Sequence, residues 1–170
     1  MLASMNPCPC GYHGAPSGQG ENRRECNCAP QLIQKYRAKI SGPLLDRIDI
    51  HLTVPAVAYE KLAEARQGES SKNIRERVAC TCQVQEQRFR NSSRRNNSVM
   101  NRKELETQAE LADSSRKILQ QAMTKMGLSA RAYDRILKVA RTIADLAGEQ
   151  KIDTPHVAEA IQYRNLDRPV

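Results

Sequence analysis

Two cysteine pairs, Cys8-Pro-Cys10-Gly11 and Cys26-Asn-Cys28, stand near the start of the chain in a stretch rich in Gly, Pro and Asn. Such a stretch forms a loop or a small knuckle and has too few apolar side chains to build a core. Two close thiol pairs joined by a flexible loop can instead converge on a tetrahedral ion, with thiolates about 2.3 Å from zinc. Gly11 lets the backbone turn toward such an ion. The Cys-x-Cys spacing is tighter than the usual Cys-x-x-Cys, and the competing reading is four free thiols in a mobile loop. His13 could substitute for one of these ligands, although a lone loop histidine is more often a bystander. Cys80 and Cys82 fall two apart on an expected helix, point to different sides and are not assigned as ligands.

The remaining composition narrows the fold. Leu, Ile, Val and Phe make up 32 of 170 residues, and aromatic residues are one Phe and five Tyr, with no Trp. That is lean for a β-sandwich or barrel. Ala, Arg, Glu, Gln and Leu dominate the second half and favour helices. No apolar run approaches the ~18 residues of a membrane span. No charged region precedes an apolar one in the manner of a secretory signal. A cytoplasmic protein is therefore expected, and in a reducing compartment clustered cysteines point to metal before disulfide.

Along the chain, residues 1–5 read as the end of a buried strand and residues 6–30 as the cysteine knuckle. Residues 31–39 allow two helical turns. Ile48, Ile50, Leu52 and Val54 alternate on one face and predict a strand that Pro55 ends. Helices are expected over 56–66, 72–90, 101–111 and 113–126. Gly127 closes the last of these, and Ser129 caps the next. A helix over 130–147 carries Ile136, Leu137, Ala140, Ile143, Ala144 and Ala147 on one stripe, and Gly148 stops it. Thr154-Pro155 then open a final helix. The domain reading is 1–55, 56–98 as connecting helices and a basic loop, and 99–170 as a helical domain.

The net charge is +8, and from Arg88 to Lys103 six basic residues occur with no acid. Such a run can hold phosphates, but a charge run is usually solvated surface, and only Phe89 offers a ring for base stacking. No catalytic triad, paired-carboxylate site or Gly-Lys-Ser/Thr phosphate loop is present. The chain holds no complete active site of its own.

Three long strings, SMNPCPCGYHG, KISGPLLDRIDIHLTVP and LSARAYDRILKVARTIADLAG, followed by EAIQYRNLDR, occur in this order. Together they resemble the magnesium-chelatase-subunit-like AAA+ ATPases of the ComM/YifB type. Members of that family are about three times as long and carry an N-terminal Lon-protease-like domain before an ATPase core with Walker A and Walker B motifs. Neither Walker motif is present here, so the resemblance implies a C-terminal part of such a protein. The implied fold is mainly α: a helical AAA+ lid preceded by a two-strand remnant of the α/β core that bears the four-cysteine knuckle.

The resemblance also implies roles. Asn6 matches the sensor-1 polar residue that faces the γ-phosphate or orients the attacking water. Arg47 in LLDRID matches the arginine finger offered to a neighbouring subunit's nucleotide, and Asp46 beside it holds the guanidinium or the interface. Arg131 matches the sensor-2 arginine at the start of a lid helix. ATP with Mg²⁺ is the implied cofactor, jointly with the missing N-terminal part. The implied partners are neighbouring subunits of a homo-oligomeric ring (a hexamer) and DNA, with no membrane. Some relatives keep the Asn-Pro string without the cysteines, so zinc on Cys8, Cys10, Cys26 and Cys28 would be a structural staple. In AAA+ folds the Walker A strand lies between the sensor-1 and finger strands. Without it, 1–5 and 48–54 share no partner, and the first 55 or so residues should pack poorly. Two rival readings are a metal-chelatase motor subunit and a stand-alone zinc-dependent nucleic-acid-binding module.

Overall fold

The computed structural model describes residues 2–14, 25–54, 68–164 and 166. The chain divides into two compact units, one of Met1–Leu44 with Thr53–Gln67, the other of Leu45–Leu52 with Gly68–Val170. The helix expected over 56–66 and the middle of the knuckle, 15–24, lie outside the described residues.

In the first unit the cysteine loop precedes α1 (Pro30–Arg37), which Pro30 opens at a position where a missing N–H costs nothing. Lys35 and Arg37 lie in its last turn, where a cation complements the helix dipole. Arg37 Nε reaches back 3.2 Å to the carbonyl of Pro7, tying helix to loop. The short α2 (Gly42–Leu45) follows.

The second unit is built on helices α3 (Ser71–Arg88), α4 (Arg102–Gln108), α5 (Asp113–Met126), α6 (Ala130–Leu146) and α7 (Thr154–Gln162), with a 3-10 turn at Asn97–Val99. Local chemistry sets most of their ends. Ser70 caps α3 by accepting from the Asn73 amide. Asn101 and Glu104 form a reciprocal capping box on α4. Gly127, at φ +61°, closes α5 in the left-handed conformation that a side chain disfavours. Ser129 Oγ accepts from the Ala132 amide to open α6. The start of α7 differs from expectation by one residue: Asp153 is the cap, its amide donating to His156 Nδ1 at 3.0 Å.

Helix α6 is the centre of this unit, with α3, α4, α7 and the 3-10 turn packed around it, and α7 also covers α5. Ile136, Leu137, Ala140 and Ala144 point into a core with Leu105, Leu119, Ile152 and Val157. Each large apolar side chain buried there is worth about 1.5–3 kcal/mol. Among the described residues Leu111 and Ile152 add one isolated parallel bridge. Ala147, expected on the buried stripe, is exposed, whereas Arg141 and Asp145 are buried on it.

The two predicted strands do not form among the described residues. Residues 2–5 have no ladder, and Leu2 is fully exposed. Residues 48–54 pair with no strand among the described residues, and the chain bends at Asp49, because alternation makes a strand only when a neighbouring strand supplies the ladder. Their expected buried face is turned around: Ile50, Leu52 and Val54 are exposed, and His51 is buried.

Candidate functional site

The first candidate site is the thiol cluster. Gly11 takes φ +85° and donates its amide to the Cys8 carbonyl at 3.0 Å, closing a tight turn over Pro9. That turn sets Cys8 Sγ 3.3 Å from Cys10 Sγ. Cys26 Sγ approaches both, at 3.7 Å and 3.6 Å. All four sulfurs of Cys8, Cys10, Cys26 and Cys28 lie within 4.8 Å of one another. Four thiolates at zinc's bond length would be about 3.8 Å apart along each edge of the tetrahedron, so the observed spacing suits a tetrahedral divalent ion. Among the described residues this is the one cluster of metal-ligating side chains, and His13 is not in it.

Protonation supports the same chemistry. Burial pushes the Cys8 thiol up, but hydrogen bonds from Cys10, Cys26 and the His13 and Gly11 amides outweigh it and bring the thiol down to about 6. At Cys26 the Cys28 backbone lowers the pKa, but burial and the neighbouring sulfurs dominate and push it up to about 12. Cys28 is raised as well, against the lowering effect of the Cys10 backbone, by burial and the Cys10 sulfur. The cluster thus accepts one negative charge readily and resists the next. A divalent cation removes that resistance, since a coordinated thiol is deprotonated outright. Cys80 and Cys82 are exposed and stand apart from the cluster.

The second candidate site is a turn on the helical unit. Ile48 N donates to the Leu45 carbonyl at 3.0 Å, leaving Asp46 and Arg47 at the two central positions. Asp46 faces inward, where both its oxygens accept from Ser129 Oγ, at 3.2 and 3.1 Å. Arg47 is exposed. Arg131, the second residue of α6, is also exposed. Asn6 belongs to the first unit, with its side chain over Gly11, 3.8 Å from where a Cβ there would stand. The turn thus joins Asp46 to the cap of the helix that bears Arg131, whereas Asn6 is carried separately.

The described residues fit only part of a nucleotide site. Two exposed guanidinium groups can meet phosphate oxygens, but no glycine-rich phosphate loop is present, and no carboxylate cluster that would hold Mg²⁺ occurs among the described residues. The residues that hold the turn, Asp49, Ser129, Arg135 and Arg164, carried little signal in the sequence. Only Ser129 was legible, as a helix cap, because the pairings run over more than eighty residues. The basic stretch differs from a solvated linker: Asn97 is 1% exposed and fixes it from within.

Two family profiles match successive parts of the chain, and the segment Leu45–Leu52 falls under the one that matches residues 1–62, although it groups with the helical unit. The family profile described as magnesium chelatase, subunit ChlI C-terminal, matches residues 68–164, and the profile described as magnesium chelatase, subunit ChlI, matches residues 1–62. The chain is 41% identical over 169 residues to the competence protein ComM of Haemophilus influenzae, covering 99% of this chain and 31% of that protein. It is 35% identical to YifB of Salmonella typhimurium and 34% identical to YifB of Escherichia coli, with the same coverage of both chains. The chain therefore spans about a third of the length of these curated relatives.

Proposed function

The chain belongs to the magnesium chelatase subunit ChlI family, and on that premise we propose that it is the lid-bearing part of a ring-forming AAA+ ATPase that remodels DNA. The observation that carries this reading is the exposure of Arg47 and Arg131 on the same helical unit, while Asp46 between them is turned inward. In this reading Arg47 is the finger offered to the nucleotide of the adjacent subunit. A guanidinium there meets charge that builds on the transferring phosphoryl group and is worth about 10³–10⁵ in turnover. Arg131 contacts the nucleotide from the lid, and Asn6 serves as the sensor of the γ-phosphate. ATP with Mg²⁺ supplies the phosphoryl group, and its cradle comes from sequence outside this chain.

The likeness to a protein named for competence supports a role in branch migration during recombination or uptake of transforming DNA. Cys8, Cys10, Cys26 and Cys28 hold zinc as a staple for the loop that carries Asn6; their thiolates are the right type and number for a closed structural site. No helix among the described residues is long and apolar enough to cross a membrane.

The test is ATP turnover in the complete ring. Arg47→Ala should abolish it. Mixing that variant with subunits that have a disabled Walker A lysine but an intact Arg47 should restore it, because the finger acts across the interface. Turnover of Arg47→Ala at the unaltered rate would refute the assignment. The 170-residue chain alone should hydrolyse no ATP.

A further inference from the structure

The segment Leu45–Leu52 groups with the helical unit, although its alternation reads as a strand of a sheet. Its attachments explain why. Asp46 accepts from Ser129 at the start of α6. Arg164, just past α7 and fully buried, sets Nη2 3.7 Å from Asp46 Oδ1 and donates through Nη1 to the Ile48 carbonyl. Asp49 pairs with Arg135 one turn into α6. The His51 amide donates to the Tyr163 carbonyl at 2.7 Å. The strap is thus held at residues 46, 48, 49 and 51, on either side of Arg47, by the opening of one helix and the end of another.

Charge and burial decide which of these links matters most for residue 47. The Asp49–Arg135 pair is half exposed on the Asp49 side, and such pairs contribute little. Asp46 is different: it faces a cap hydroxyl and a guanidinium that is itself buried, so its charge is held in one place. With Asp46 fixed on one side and the Ile48 carbonyl on the other, the backbone of Arg47 has little freedom.

We propose that Asp46 is a positioning residue that locks Arg47 to the helix bearing Arg131, so that finger and sensor arginine travel as one body with the lid. The proposal rests on the reading of Arg47 as a finger. Its consequence is specific: a tilt of the lid in response to one subunit's nucleotide moves the finger presented to the next subunit. The bistable element is the lid, and both sites bias it.

Two measurements decide it. On the 170-residue chain, amide hydrogen exchange should show the His51 amide protected, and Asp46→Ala should speed its exchange ten-fold or more while amides near Ala140 keep their rates. Unchanged exchange at His51 would overturn the lock. In the complete ATPase, Asp46→Ala should lower kcat ten-fold or more with KM for ATP unmoved, and Asp46→Glu should recover part of it. The double variant Asp46→Ala/Arg47→Ala should be no slower than Arg47→Ala alone, because Asp46 acts only through Arg47. Losses that multiply would overturn the positioning role. If Arg47→Ala leaves turnover intact, the finger reading falls, and the exchange experiment still decides whether Asp46 holds the strap.

Discussion

Arg88 and Asp145, 57 residues apart, join the end of α3 to the end of α6 through two parallel hydrogen bonds of 2.6 and 2.5 Å. The Asp145 side chain is 1% exposed and accepts two more bonds, from Asn97 Nδ2 at 2.8 Å and Arg141 Nε at 3.0 Å. Asn97 in turn accepts from Arg88 on its side-chain Oδ1 and donates its backbone amide to Gln85 Oε1. One carboxylate thus organises α3, the basic stretch and α6. A buried charge is tolerated at such a site because its lone pairs are satisfied and its partners are cations.

Asp145→Ala leaves Arg141 buried and Arg88 partly buried beside a void. The expected loss is about 3–5 kcal/mol, the range for breaking one side of a buried pair. Chemical denaturation of the variant should show a midpoint shift of that size with an unchanged slope.

The same carboxylate sets an acid limit. Burial raises its pKa, but hydrogen bonds from Arg88 and Asn97 and the charges of Arg88 and Arg141 overcome that and hold it below the ordinary carboxylate range. The unfolded chain titrates near ~4 and binds the proton first, so the contribution is full above about pH 5 and is lost as pH falls through the folded value. Thermal midpoints measured from pH 6 to pH 2 should decline with acid, and Asp145→Asn should flatten this decline while lowering the midpoint at pH 6.

Zinc content gives a direct measure of the thiol cluster. Protein purified under reducing conditions without chelator should carry about one zinc per chain, and Cys8→Ser/Cys26→Ser should carry none. A metal-free wild type would mark the cluster as free thiols.

Leu119, 1% exposed between α5 and its neighbours, tests the core by itself. Leu119→Ala should cost about 2–5 kcal/mol. Gly127→Ala has open space around the added methyl, so its smaller loss, about 1 kcal/mol, comes only from the left-handed backbone.

The helices were readable because their signals are local. The expected span 113–126 coincides with Asp113–Met126, and Gly127 and Ser129 occupy the caps assigned to them. The convergence of the four thiols was readable because residue type and spacing alone restrict what four cysteines can do, and the structure brings the four sulfurs together. The Arg88–Asp145 network was not readable. Its one local sign is the i,i+4 pair Arg141–Asp145 on an otherwise apolar stripe, and its decisive partner comes from α3.

By itself, then, the sequence determined where helices begin and end, which side of α6 is apolar, and that four thiols near the start could converge. Those properties depend on neighbours within a turn or two of chain. Tertiary structure decided the fate of residues 45–52 and the place of Asp145. An alternating segment becomes a strand only if another strand accepts its hydrogen bonds. Here the helical unit offered the Ser129 hydroxyl, the Arg164 guanidinium and the Tyr163 carbonyl instead, and the segment became a strap that carries Arg47.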